Sequence, residues 1–165
     1  MTNEMEELAR AYAERGYPVF PVRTDNKAPM ISGGFLNATT DLEQIHSWWT
    51  KFPQARVGVS VGPAQIVVVD LDVKGGVDGP GNWDRLSGCL SSPWTVDTPS
   101  GGKHLWFRNE DDWTSHNGFA PGVDIKTHGG YVVAYAGPPD VELPALPLIG
   151  EQRSTTDQVR SNDDL

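Results

Sequence analysis

Asp70 and Asp72 stand two residues apart near the end of the most apolar run of the chain, QIVVVDLDVKGG at 65–76. Side chains alternate along a strand, so Ile66, Val68, Asp70 and Asp72 would point one way and Val67, Val69, Leu71 and Val73 the other. The second set is apolar throughout, as in a strand covered by helices. The first turns acidic toward its C-terminal end. Two carboxylates held side by side repel, and a bound divalent cation relieves that cost. The same D-x-D pattern also ends strands in glycosyltransferases and phosphatases, or simply marks a solvated strand terminus, so the pair alone does not choose a chemistry.

Two further groups bear on that choice. Ser100-Gly101-Gly102-Lys103-His104 joins a glycine turn, whose backbone N–H groups can approach an anion, to the strand KHLWFR at 103–108. On that strand His104, Trp106 and Arg108 share one face, and Leu105 and Phe107 share the other. The bland reading is a hairpin turn with an incidental histidine. Asp124, in GVDIK at 122–126, lies between Val123 and Ile125 and is followed by Lys126. Taken together, three carboxylates could hold one or two divalent ions, while the glycine loop and the histidine bind the phosphates that such ions bridge. Lys27, in a loop before Pro29, is either a phosphate ligand or a solvated cation. Trp48 and Trp49 read as core, His46 and His116 as surface residues, and His128 as a site neighbour at most.

The elements that must position these groups follow from periodicity and turn signals. Residues 3–15 form a helix with Met5, Leu8, Ala9 and Tyr12 on one stripe, Asn3 and Glu6 at capping-box spacing and Gly16 as the stop. YPVFPV at 17–22 is a short strand whose prolines place it at an edge or leading into a loop. A second helix starts at Thr40 or Asp41 and runs to about Lys51. VGVSV at 57–61 and QIVVVDLDV at 65–73 read as two strands of a hairpin around Gly62-Pro63. A short helix through Trp83, Leu86 and Leu90 follows, then strands at 94–98 and 103–108, a polar turn at 110–117, and strands at 122–126 and 131–136. This order predicts a mixed α/β or α+β domain with a largely antiparallel sheet. Residues 1–150 are expected to form the domain, and the polar segment 151–165 a disordered tail or linker.

Composition narrows the classes. A chain of 165 residues with 38% hydrophobic content suits one domain with a real core. No apolar run approaches a membrane span and the charged N-terminus is unlike a secretory signal, which together predict a cytoplasmic protein with no membrane partner. The single cysteine, Cys89, leaves no intramolecular disulfide and no cysteine-rich zinc site, so carboxylates and histidine point to magnesium or manganese. A net charge of -9 argues against a nonspecific nucleic-acid coat protein but not against an enzyme that meets phosphates locally.

The order of these segments resembles the N-terminal primase/polymerase (Prim-Pol) domain of the archaeo-eukaryotic primase superfamily, found in phage, prophage and plasmid replication proteins. The resemblance runs over about residues 5–140 and rests on ARAYAERGYPVFPV, Lys27 to Pro29, NATTDLEQIHSWWTKFP, VGVSVG, VVVDLD, TPSGGKHLWF and GVDIKTHGGYVVA. It implies an archaeo-eukaryotic primase-like core, an α/β module joined to a small sheet module related to the RNA-recognition fold. It also implies a template-dependent nucleotidyltransferase, acting as DNA primase and DNA polymerase. Asp70, Asp72 and Asp124 would bind two Mg2+ or Mn2+ ions, and His104 would contact the phosphates of the incoming (d)NTP. Ser100, Gly101 and Gly102 would cradle that nucleotide, with Lys27, Lys103, Arg108 and Lys126 as further nucleotide contacts. Single-stranded DNA template is the implied partner, together with a helicase or a primase-associated helical domain in a longer protein, in a bacterial host or phage-infected cell. Gly102 stands where relatives can carry a small hydroxyl residue. Relatives commonly continue into helical and helicase domains, so the chain is expected to be either an excised domain or a stand-alone protein. Two other readings stay open: a non-catalytic nucleotide- or DNA-binding replication module, and a metal-dependent phosphohydrolase using the same carboxylates.

Overall fold

A computed structural model of the chain describes residues 3–149; the expected tail at 151–165 lies outside them. Helix α1 (Glu4–Glu14) opens on Asn3, whose side chain accepts from the Glu6 amide at 2.7 Å. Glu6 does not close the expected capping box. It is buried, 3.1 Å from Arg10 Nε and 3.1 Å from His46 Nδ1 on helix α2 (Leu42–Lys51), and so ties the two helices together. Burial pushes the Glu6 carboxyl up, but the hydrogen bonds and charges of His46 and Arg10 outweigh it and hold it below the usual carboxylate range. Asp41, not Thr40, caps α2 by accepting from the Glu43 amide.

All strand ladders are antiparallel and form two sheets. Strands β1 (Val19–Val22), β2 (Arg56–Val59) and β8 (Val132–Val133) make a three-stranded sheet in the order β1-β2-β8, with the proline-bearing β1 at its edge as expected. Strands β3 (Ile66–Leu71), β4 (Thr95–Asp97), β5 (Lys103–Arg108), β6 (His116–Ala120) and β7 (Val123–Lys126) make a five-stranded sheet in the order β4-β5-β3-β7-β6. Helix α3 (Gly79–Ser87) covers its second face, where Trp83 packs with Val67, Val69, Leu71, Leu105 and Phe107. Among the described residues, three α-helices and two antiparallel sheets are the mixed α+β fold that the element order predicts. No described helix is long and apolar enough to cross a membrane.

Three local readings are corrected. The segments at 57–61 and 65–73 are not a hairpin: β2 and β3 belong to different sheets, joined by the short turn Gly62–Ala64. Val57 and Val59 on one side and Ile66 and Val68 on the other bury into one shared core, so the chain crosses between layers rather than folding back. The polar stretch read as a turn at 110–117 runs into β6, whose exposed, polar first half hid the strand. Of the strand expected at 131–136, only Val132–Val133 is regular, although the Ala134 amide still donates to the Val57 carbonyl.

The shared core locates the cleft. Ile66, Val68 and Trp106, on the first face of the five-stranded sheet, pack under α1, α2 and the smaller sheet with Tyr12 and Tyr17. Two residues further along β3 that cover ends, and Asp70 emerges at the junction of the two sheets.

Candidate active site

Antiparallel pairing puts directly opposed residues on the same face of a sheet. In the β3 ladders Asp70 is opposed by His104 on β5 and by Asp124 on β7. One carboxylate therefore sits centrally between an imidazole and a second carboxylate, although the three residues are far apart in sequence. His104 is buried, and its Nε2 lies 3.4 Å from Asp70 Oδ1. The Asp124 Oδ1 accepts from the Gly118 amide at 2.7 Å, which leaves its other oxygen without a protein donor among the described residues. Asp72 follows at the strand end, where its backbone amide donates to Gly122 and its side chain accepts from the Lys74 amide at 2.9 Å.

A cleft of about 380 Å3 opens over Asp70 and His104. Lys126 lies along its floor, with Nζ donating to Asn117 Oδ1 at 2.6 Å. Its opposite wall comes from the smaller sheet and the loop after β1: Lys27, Phe35, Tyr131 and Tyr135. The Tyr131 hydroxyl donates to the Lys27 carbonyl at 2.8 Å and so pins that loop beside the cleft. Burial holds the Tyr131 phenol above its ordinary value. The Tyr135 ring stands 6.0 Å from that of His104. Basic groups and aromatic faces thus surround a carboxylate pair, an arrangement able to take a phosphorylated, ring-bearing ligand.

A family model described as bifunctional DNA primase/polymerase, N-terminal (Prim-Pol), matches residues 9–143. The chain belongs to the Prim-Pol family. The match runs from within α1 past β8 and takes in every residue of the cleft. A comparison with curated proteins returned no match.

Within this Prim-Pol domain the residues expected from sequence separate into two groups. Lys27, Asp70, His104 and Lys126 line one cleft, and Asp124 adjoins it through Asp70. Ser100 lines a neighbouring concavity. The others are placed elsewhere. Lys103 alternates with His104 onto the opposite face of the sheet and pairs with Asp97 at 2.7 Å. Arg108 shares the face of His104 but sits at the far end of β5, opposite Ile66, where it donates to the Leu143 carbonyl and pairs with Glu110. Gly101 and Gly102 line neither concavity. Gly102 is buried against β3, where a Cβ would lie 3.2 Å from the Leu71 carbonyl carbon and closer still to its oxygen. Glycine at 102 is therefore required by the close approach of β5 to β3.

Sequence reading missed Phe35, Asn117, Tyr131 and Tyr135. For the tyrosines a signal existed: in YVVAY at 131–135, Tyr131 and Tyr135 border the cleft and stay partly exposed, while Val132, which also borders it, and Ala134 are buried in the main core. Two aromatic residues on one side of a short strand, directly after a glycine turn, mark a wall rather than a core.

Proposed function

We propose that the cleft catalyses template-dependent nucleotidyl transfer, with a (d)NTP as substrate and single-stranded DNA as template, in the replication of a phage, prophage or plasmid. The observation that carries this reading is the placement of Asp70 between His104 and Asp124 on one sheet face, inside a Prim-Pol domain. Asp70 and Asp124 offer oxygen donors suited to Mg2+ or Mn2+, and their like charges gain from a cation between them. Among the described residues no three acidic, histidine or cysteine side chains converge on one point, so Asp72 does not complete a ready-made cage. Asp70 and Asp124 would hold the ions, with Asp72 at the strand end as the third carboxylate. When bound, such ions polarise phosphate and assist deprotonation of the attacking 3′-hydroxyl. His104, fixed by burial next to Asp70, donates to a phosphate oxygen, and Lys27 and Lys126 add positive charge at either side of it. Phe35 and Tyr131 supply the apolar wall for the base and sugar.

The acidic balance of the chain, a net charge of -9, favours one alternative, a replication module that binds nucleotide or DNA without turnover, acting with a helicase. Incubation with a single-stranded template, labelled nucleotides and Mn2+ or Mg2+ separates the two. Extension or dinucleotide products with release of pyrophosphate are expected, and Asp70→Asn or His104→Ala should reduce them by at least about 100-fold. Equal product from the wild type and both variants removes the assignment, and nucleotide binding without pyrophosphate establishes the alternative.

A further inference from the structure

Next to the catalytic cleft lies a second concavity of about 440 Å3, and the two share Lys27, Val133 and Tyr135. Four of the 13 lysines and arginines of a chain with net charge -9 line it: Arg23, Lys27, Arg56 and Lys74. Its one acidic residue, Asp25, is already engaged by Arg23 at 3.1 Å. Among the described residues Lys27, Arg56 and Lys74 form no ion pair. Like charges gathered in one hollow repel unless an anion occupies it, and such a focus of positive potential draws polyanions to an otherwise acidic surface.

The shape of the hollow bears on which anion. Through Thr24 and Arg56 it runs on into a third depression of about 380 Å3 beside Asn3, Pro53 and Gln54, whose one acidic residue, Glu4, lies past the cations. The cations stand on separate segments: Arg23 and Lys27 in the loop after β1, Arg56 on β2, and Lys74 in the turn beyond Asp72. A nucleotide's phosphate tail is compact and must stay against Asp70. A trough that leaves Asp70 over Tyr135 and runs past Arg23, Arg56 and Lys74 is instead suited to an extended phosphodiester chain. At the sill between the two hollows the Arg56 guanidinium lies 5.0 Å over the Tyr135 ring, a flat cationic and aromatic surface of the kind on which unpaired bases stack.

We propose that this trough is a binding site for single-stranded nucleic acid, held by its backbone on Arg23, Arg56 and Lys74 and led across Tyr135 into the cleft. That the strand is the one acted upon rests on the nucleotidyl-transfer reading of the cleft; the trough itself does not.

The test is fluorescence anisotropy of a labelled oligothymidylate with the full chain over a salt series, run beside a titration with a fluorescent dNTP and Mn2+. Arg56→Gln combined with Lys74→Gln is expected to weaken oligonucleotide binding at least about tenfold and to lower its salt slope by about 1.4, with nucleotide affinity unchanged. Lys74→Glu, in an exposed turn outside both sheets, should weaken strand binding by itself without a cost in folding. Unchanged strand affinity and slope in both variants overturns the proposal. So does a loss confined to the nucleotide titration, which would make the hollow a seat for the triphosphate. A wild-type protein that binds the strand through these residues but incorporates nothing overturns the catalytic reading and leaves the trough standing.

Discussion

Gly102→Ala is expected to damage both stability and turnover, and for one geometric reason. The residue is the last before β5, one step from the Lys103–Leu71 pair and two from the His104–Asp70 pair. An added methyl would sit 3.1 Å from Thr98 Oγ1, 3.2 Å from the Leu71 carbonyl carbon and nearer still to the Leu71 oxygen. Leu71 is a buried strand residue and cannot turn aside as a flexible side-chain tip could. The ends of β3 and β5 must therefore part by about 1 Å, or the turn through Thr98, whose amide donates to the Gly102 carbonyl at 3.0 Å, must give way. Overpacking of this kind costs about 1–3 kcal/mol, or about 3–10 °C in melting temperature for a chain of this size. A displacement of about 1 Å in catalytic geometry costs on the order of 100-fold in rate. Thermal denaturation gives the first quantity, and nucleotide incorporation measured well below the melting temperature gives the second. Gly102→Ser, which adds a small hydroxyl side chain at the same point, should behave like the alanine variant. Wild-type melting and incorporation in Gly102→Ala would show that the strands do not approach as described and would refute the reasoning.

Three other outcomes are expected. Lys103→Ala, on the sheet face away from Asp70, should leave the KM for nucleotide within about twofold of wild type, because an exposed ion pair such as Lys103–Asp97 contributes at most about 1 kcal/mol to stability; a tenfold rise in KM would return Lys103 to the site. Glu6→Gln should lower the melting temperature near neutral pH. Because the folded state holds the Glu6 carboxyl below its ordinary value, the stabilisation is complete above the ordinary carboxylate range and is lost as pH falls through the depressed value. The gap between wild type and Glu6→Gln should accordingly narrow as the solution is made acid enough to protonate the folded carboxyl, and a gap that does not change on the acid side would dismiss the linkage. Tyr12→Phe removes the 2.6 Å hydrogen bond from the buried phenol to the Ala136 carbonyl and should cost about 1–2 kcal/mol by chemical denaturation; an unchanged midpoint would count against that bond.

The meeting of Asp70, His104 and Asp124 was legible in the sequence, and the reason is specific. Period-two alternation assigns Asp70 and His104 to definite faces of their strands, and antiparallel pairing in the observed register then places both beside Asp124. Alternation also bore on Lys103, which shares the face of Leu105 and Phe107, so its inclusion among the phosphate contacts set charge above parity. What the sequence could not supply was the layer to which each strand belongs. Gly62-Pro63 is a good turn in either a hairpin or a crossing, and only the burial of both flanking strands into one core decides between them. The trough was hidden for a similar reason. Arg23, Arg56 and Lys74 are dispersed along the chain and form no run of charge, and they meet only because β1 and β2 pair while β3 ends near them.

Strand β3 divides its duties along its length. Ile66 and Val68 anchor the sheet in the shared core, whereas Asp70 begins where that packing stops. Replacing the acid with asparagine removes no buried methylene and opens no void, so an inert form of the protein should remain as sturdy as the working one. Such a form could be loaded with oligonucleotide and nucleotide and held at least about 100 times longer before reaction, a practical route to seeing the assembled complex.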